Sequence, residues 1–237
     1  MKNINWLLQQ HIGENMDQKL LKNSELFKGI DEKEVVLLNN CTKIFEKNFL
    51  KDELIFMAGQ SIEDLAVIEE GKVVIECYDP WGNVNIVQIL DKYKVFGESY
   101  ALLENKTMLF NVRALENCKI FFVEIKSIAD KCPCTCGIKP KILNNLMYIM
   151  AKRNYEMNEK IIHTSGKSIR SRIISYLSFE AKRCGKEQFE IPYNRKQLAE
   201  YLKVDRSALS NELSKMRDEG LIEYKKNKFK LIIADDF

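Results

Sequence analysis

Arg206, Ser207, Ser210 and Asn211 stand at positions i, i+1, i+4 and i+5 of one helical face. An Arg and short polar side chains at the start of a helix are what base edges in a DNA major groove demand. The Arg forks onto guanine, the Asn amide suits adenine, and hydroxyls serve either. The other side of the same stretch is apolar. Leu198, Ala199 and Leu202 give one short helix its buried face, Leu209, Leu213 and Met216 give a second, and Val204 fills the turn between them. Asp205 is placed as the N-cap of the second helix, its carboxylate accepting a backbone N–H that the first turn leaves free. For this segment alone, the plain alternative is an antiparallel helix pair whose polar face meets only water.

The flanks favour the first reading. Upstream, Phe189-Glu-Ile-Pro-Tyr-Asn reads as a short strand ending at a helix cap on Asn194, with Arg195 and Lys196 at the helix start. Downstream, Gly220 stops the second helix, and Leu221 to Ile232 alternates as a hairpin. Two helices and a hairpin make a winged helix. Lys225, Lys226, Lys228 and Lys230 fall on or near the wing, where they either keep a sheet edge solvated or meet phosphates. Their place beside the polar helix favours phosphates, with Asn194, Arg195 and Lys196. Lys203 occupies a turn position that suits glycine, and a left-handed backbone there costs about 1 kcal/mol.

Charge separates along the chain. Residues 1–136 carry 16 Lys and Arg against 21 Asp and Glu, a net of −5; residues 137–237 carry 21 against 13, a net of +8. An acidic front and a basic back imply that only the back meets a polyanion. The 237 residues suffice for two domains with their own cores. No run of eighteen apolar residues occurs, and Met1-Lys-Asn-Ile-Asn-Trp lacks the apolar core of a signal peptide. A cytoplasmic protein with no membrane partner is expected. Seven cysteines, an odd number, argue against a disulfide framework.

The front half is rich in short β-type runs: Glu53–Met57, Leu65–Ile68, Lys72–Tyr78, Val84–Leu90 and Lys119–Glu124. Turn signals at Ala58-Gly59, Glu70-Gly71, Asp79-Pro-Trp-Gly82 and Gly97 separate them. This spacing predicts a jelly roll or barrel, preceded by helical pieces that pack through Leu20, Leu21, Leu26 and Phe27. A long helix is expected over Pro140 to His163, with Leu143, Leu146, Met150 and Met157 near heptad positions and Ile142 and Ile149 widening the stripe. Such a face packs on its own barrel or, more attractively, on the same helix of a second subunit. A further helix is expected over Ser168 to Arg183.

In this order the chain resembles the Crp/Fnr family of bacterial transcription regulators, from about Leu20 to Ile233. Matching residues are Ile68-Glu-Glu-Gly71-Lys-Val, Val95-Phe-Gly97-Glu98, Val112-Arg113-Ala114 and the helix-turn-helix with its wing. The resemblance implies an α+β chain with three parts. An N-terminal β-roll sensor (jelly-roll, like a cyclic-nucleotide-binding domain) spans 1–136, a dimerisation helix 137–164 and a C-terminal winged helix-turn-helix 165–237. It also implies a homodimer on a near-palindromic promoter site of double-stranded DNA, and admits RNA polymerase as a further partner.

Departures from the family pattern bear on the signal. Cyclic-AMP-binding members follow Gly-Glu, about ten residues on, with an Arg-Ser pair for the phosphate. Met108 and Leu109 stand there, and neither a thioether nor an isobutyl group replaces a bidentate Arg. The resemblance places the effector pocket at Gly97, Glu98, Met108, Leu109 and Arg113, without cyclic AMP, Arg113 being a residue the family keeps for structure. Glu98 is expected as a buried carboxylate. Many members carry Glu and Arg where Ser207 and Asn211 stand, so a different half-site is expected.

Cys132-Pro-Cys134-Thr-Cys136 is the most unusual remaining feature. With Cys118 as fourth ligand it suits an iron–sulfur cluster or another metal; alternatively it is a thiol switch, or a loop with no task. Haem would need His11 or His163 as axial ligand, and a capping or solvated His163 is the plainer reading. An apolar or aromatic molecule in the β-roll would suit Met108, Leu109, Phe110 and Tyr100, which are equally ordinary barrel core. The chain holds no Gly-x-Gly-x-x-Gly, P-loop or Gly-x-Ser-x-Gly, and two histidines, so no enzyme is expected. The rival class is a ligand-binding regulatory module without sequence-specific DNA binding.

Overall fold

The computed structural model describes residues 18–31, 33–34, 42–79, 81–82, 84–103, 105–125 and 137–232. Cys132, Cys134, Cys136 and His11 lie outside the described residues. The chain divides into two compact units, Met1–Met150 and Ala151–Phe237.

In the first unit, helix α1 (Gln18–Asn23) and a 3-10 turn (Glu25–Phe27) precede eight strands and a short helix. These are β1 (Ile44–Phe49), β2 (Leu54–Phe56), β3 (Asp64–Glu70), β4 (Val73–Tyr78), β5 (Val84–Leu90), β6 (Val95–Phe96), α2 (Glu98–Leu102), β7 (Asn111–Ala114) and β8 (Cys118–Glu124). Two four-stranded antiparallel sheets form, in the orders β1-β8-β3-β6 and β2-β7-β4-β5. The first is covered on both faces, which explains why β3 and β8 read as continuous apolar runs. Ala66, Ile68, Ile120 and Phe122 turn inward to meet Phe56, Val73, Val112 and Ala114 of the second sheet. The alternate residues, Leu65, Val67, Phe121 and Val123, pack under Leu20, Leu26, Phe27, Ile142 and Leu146. A period of two thus builds two cores from one sheet.

Helix α3 runs from Ile138 to Thr164, with Pro140 in its first turn, where a missing N–H costs nothing. The expected single stripe resolves into two faces. Ile138, Ile142, Leu146 and Ile149 bury against the helix's own sheet. Asn145 donates to the carbonyls of Leu26 and Lys28 at 2.9 and 2.8 Å, closing the 3-10 turn beneath. On another face, Leu143, Met147, Met150, Asn154, Met157 and Ile161 recur at alternating spacings of four and three; Met147, Met157 and Ile161 are exposed.

The second unit adds α4 (Ile169–Cys184), β9 (Gln188–Glu190), α5 (Arg195–Leu202), α6 (Arg206–Asp218), β10 (Ile222–Lys225) and β11 (Lys228–Leu231). The strands pair antiparallel in the order β10-β11-β9. Ile173, Tyr176, Leu177, Leu198, Leu202, Leu209, Leu213, Met216, Ile222 and Phe229 share its core. Among the described residues no helix is long and apolar enough to cross a membrane.

Candidate nucleic-acid interface and sensor site

Caps set both helices of the motif. Asn194 Oδ1 accepts from Gln197 N at 3.0 Å while Gln197 Oε1 accepts from Asn194 N at 2.9 Å, a reciprocal capping box at the start of α5. Asp205 caps α6, accepting from the N–H of Ser207 at 2.8 Å and of Ala208 at 2.9 Å. Between them Lys203 adopts φ 54 and ψ 52, the left-handed turn its position implies.

The side chains of α6 then sort themselves. Ser207 Oγ bonds back to Asp205, and Ser210 Oγ to the Arg206 carbonyl at 3.0 Å. Arg206 and Asn211 are exposed, and among the described residues neither side chain has a partner. Each carboxylate on or beside α6 is occupied. Arg170 holds Glu212 at 2.6 Å and Glu219 at 2.7 and 2.8 Å, Arg217 pairs with Asp218 at 2.9 Å, and Asp205 caps. The Arg170 guanidinium holds the Glu219 carboxyl below the usual range. Internal pairing therefore leaves a positive, hydrogen-bonding surface around Arg206 and Asn211.

Lys225, Lys226 and Lys228 are exposed at the wing tip, whereas Lys230 lies 3.6 Å from Glu187. Lys196 is exposed beside α5's start, 3.9 Å from Glu200. Arg195 has partners of its own. Its guanidinium lies 4.6 Å from the Tyr224 ring and 5.1 Å from the Phe229 ring, half-buried, and burial lowers its pKa. It joins α5 to the wing instead of standing in solvent.

The five expected effector residues differ in burial and in partners. Gly97 has φ 81, and a Cβ there would lie 3.0 Å from Ile62 and 3.1 Å from Phe56, so a side chain there would be strained. Glu98 and Met108 are buried, yet Leu109 is 70% exposed. Arg113 is spent on the β-roll itself, with Nε 2.9 Å and Nη2 2.8 Å from the Glu76 carboxylate and Nη1 2.6 Å from Asp52. Cys118 is core: its thiol donates to the carbonyls of Lys72 and Glu116, and burial pushes its pKa up, against thiolate ligation. Among the described residues no cluster of His, Cys, Asp and Glu suits a metal. His163, the described candidate for a haem ligand, is 2% exposed and faces the rings of Tyr176, Phe179 and Tyr201 at 5.4, 5.2 and 5.9 Å, so it is enclosed and not solvated. That enclosure carried no sequence signal, since its partners come from two other helices.

A cyclic nucleotide-binding domain model matches residues 46–132, and a Crp-like helix-turn-helix model matches residues 171–236. No curated protein matches the chain. Among solved structures, CprK complexed with OCPA is 17% identical, covering 79% of this chain and 84% of its own at a TM-score of 0.52. CLP of Xanthomonas campestris, described as a c-di-GMP responsive global regulator, is 15% identical, covering 86% and 100% at 0.51. The Thermus thermophilus catabolite activator protein is 19% identical, covering 88% and 94% at 0.47. With a cyclic-nucleotide-binding β-roll followed by a Crp-like helix-turn-helix, the chain belongs to the Crp/Fnr family of transcription regulators.

Proposed function

We propose that the chain acts in the cytoplasm as a homodimer that binds a near-palindromic DNA site and answers a signal other than cyclic AMP. The observation that carries this reading is the sorting on α6: its carboxylates are all engaged while, among the described residues, Arg206 and Asn211 have no side-chain partner at the exposed face. Arg206 is matched to guanine and Asn211 to adenine. Lys225, Lys226, Lys228 and Lys196 supply phosphate contacts. The 4-3 row on α3 supports pairing with a second copy, which would bring two recognition helices to adjacent half-sites.

The sensor reading rests on chemistry at the β-roll. Met108 is apolar core, Leu109 faces solvent, and Arg113 is tied to Glu76 and Asp52, so no free guanidinium awaits a cyclic phosphate there. CprK is solved with OCPA, and CLP is described as c-di-GMP responsive. That variety on one fold fits an effector of different class here.

The test is selection of duplexes by the intact protein from a random-sequence library. Recovery of an inverted repeat is expected. Enrichment of no sequence would leave the regulatory-module alternative in its place. Binding of the selected duplex unaffected by cyclic AMP is expected; a tightening by cyclic AMP would overturn the effector reading.

A further inference from the structure

His163 lies in the last turn of α3 inside the second unit, a buried polar side chain that DNA contact does not use. Tyr176 and Phe179 of α4 and Tyr201 of α5 surround its ring, and Nδ1 lies 2.9 Å from the Tyr201 hydroxyl. Among the described residues, Nε2 is buried with no partner. The loop that follows is tied to the same helix. Arg172 donates from Nε to the Gly166 carbonyl at 2.8 Å and from Nη1 to the carbonyls of Leu202 and Lys203, both at 3.1 Å. A guanidinium thus caps the end of α5 at the helix-turn-helix turn and holds the loop after α3 in the same grip. A Cβ at Gly166 would lie 3.1 Å from the Arg172 backbone nitrogen and nearer still to the Ser171 hydroxyl, so a larger residue would have to displace that hydroxyl.

We propose that His163 is a positioning residue: with Tyr201 it latches the last turn of α3 to the first helix of the DNA-binding motif, and the latch opens when the imidazole takes a proton. This rests on the DNA-binding reading above. Protonation puts N–H donors on both ring nitrogens. One of them would be buried without an acceptor, or Tyr201 would have to reverse its hydrogen bond. Glu159 on α3 acts on the ring directly, and Tyr176, Glu180 and Arg183 on α4, Tyr193 before α5 and Tyr201 on α5 act on it or on the tyrosines around it. Glu180 is itself tied to Arg183 at 2.6 Å. Burial outweighs the opposing pull of Glu159 and holds His163 below its ordinary 6.5. The latch is therefore at full strength above pH 6.5 and weakens as the pH falls below it.

Two histidines make the test direct. In proton NMR of the full chain, His163→Phe assigns the ring signals, and the His163 signal is expected to titrate below 6.5. Titration at or above that value overturns the proposal. Affinity for a duplex selected by the wild-type protein at pH 8 should fall below pH 6.5 by up to about tenfold per pH unit per latch. His163→Phe, which fills the cage without a proton, should flatten that profile; parallel profiles overturn the latch. If that variant does not fold, Tyr201→Phe keeps the ring and removes only the hydroxyl. It should move the His163 titration, and an unmoved titration overturns the proposal. Failure to select any duplex would count against DNA binding, while the NMR arms still decide the latch.

Discussion

Arg113 lies flat against Glu76, Nε to Oε1 at 2.9 Å and Nη2 to Oε2 at 2.8 Å, with the Glu76 side chain wholly buried. Removing one partner leaves the other charge buried, so Arg113→Leu should destabilise the β-roll by about 3–5 kcal/mol. Arg113→Leu with Glu76→Leu should recover most of that loss. Arg113 holds the Glu76 carboxyl below its usual 4.5, so this stabilisation is present above pH 4.5 and lost as the pH falls beneath it. Urea midpoints at pH 7 and pH 4 check both points: the wild type should lose more on acidification than the double variant.

On α6 the hydroxyls and the free side chains should behave differently. Arg206→Ala and Asn211→Ala should each cost about 1–3 kcal/mol on the selected duplex and relax base preference at one position. Ser207→Ala should cost less, because its hydroxyl turns back to Asp205. Competition binding with single-base variants of the duplex separates them. Equal losses at Ser207 and Asn211 would contradict the division.

Arg195 and the wing lysines offer a second contrast. Arg195→Ala removes the guanidinium from the Tyr224 and Phe229 rings and should cost about 1–2 kcal/mol of winged-helix stability. Its salt dependence of DNA binding should match the wild type. Ala at Lys225, Lys226 and Lys228 should leave stability unchanged and lower the slope of log affinity against log salt by about 0.9 for each phosphate no longer neutralised. Thermal melts and salt titrations of both variants decide the assignment.

The winged helix was legible because its punctuation is local. Ser168, Asn194 and Asp205 cap their helices within three residues, and Gly220 ends α6 at φ 74. The β-roll was legible in outline only. β6 has two residues, and β7 offers just Val112 and Ala114 to the core, too little alternation to read. In β1, Glu46 and Lys47 sit between apolar ends. The surroundings of Arg195 and His163 are not legible for one reason: their aromatic partners lie on distant segments, and a titratable residue reads as exposed until the fold supplies its surroundings.

The remaining α3 face is the test of assembly. In a heptad row, Met147, Asn154 and Ile161 take one core position and Leu143, Met150 and Met157 the other, so a second copy would bury thioether and branched layers around one amide. Asn154 accepts from Asn158 at 2.7 Å. Met157→Glu would bury an unpaired carboxylate in that seam and should weaken self-association by about 2 kcal/mol or more, roughly thirtyfold. DNA affinity should fall with it, because one recognition helix would bind alone. Asn154→Leu should act in the opposite sense, tightening association while relaxing the pairing of chains in register, as polar core residues trade stability for register. Sedimentation equilibrium of the three proteins reads the outcome. A wild type that stays monomeric at tens of micromolar, or a Met157→Glu variant that associates equally well, would remove α3 as the dimer seam.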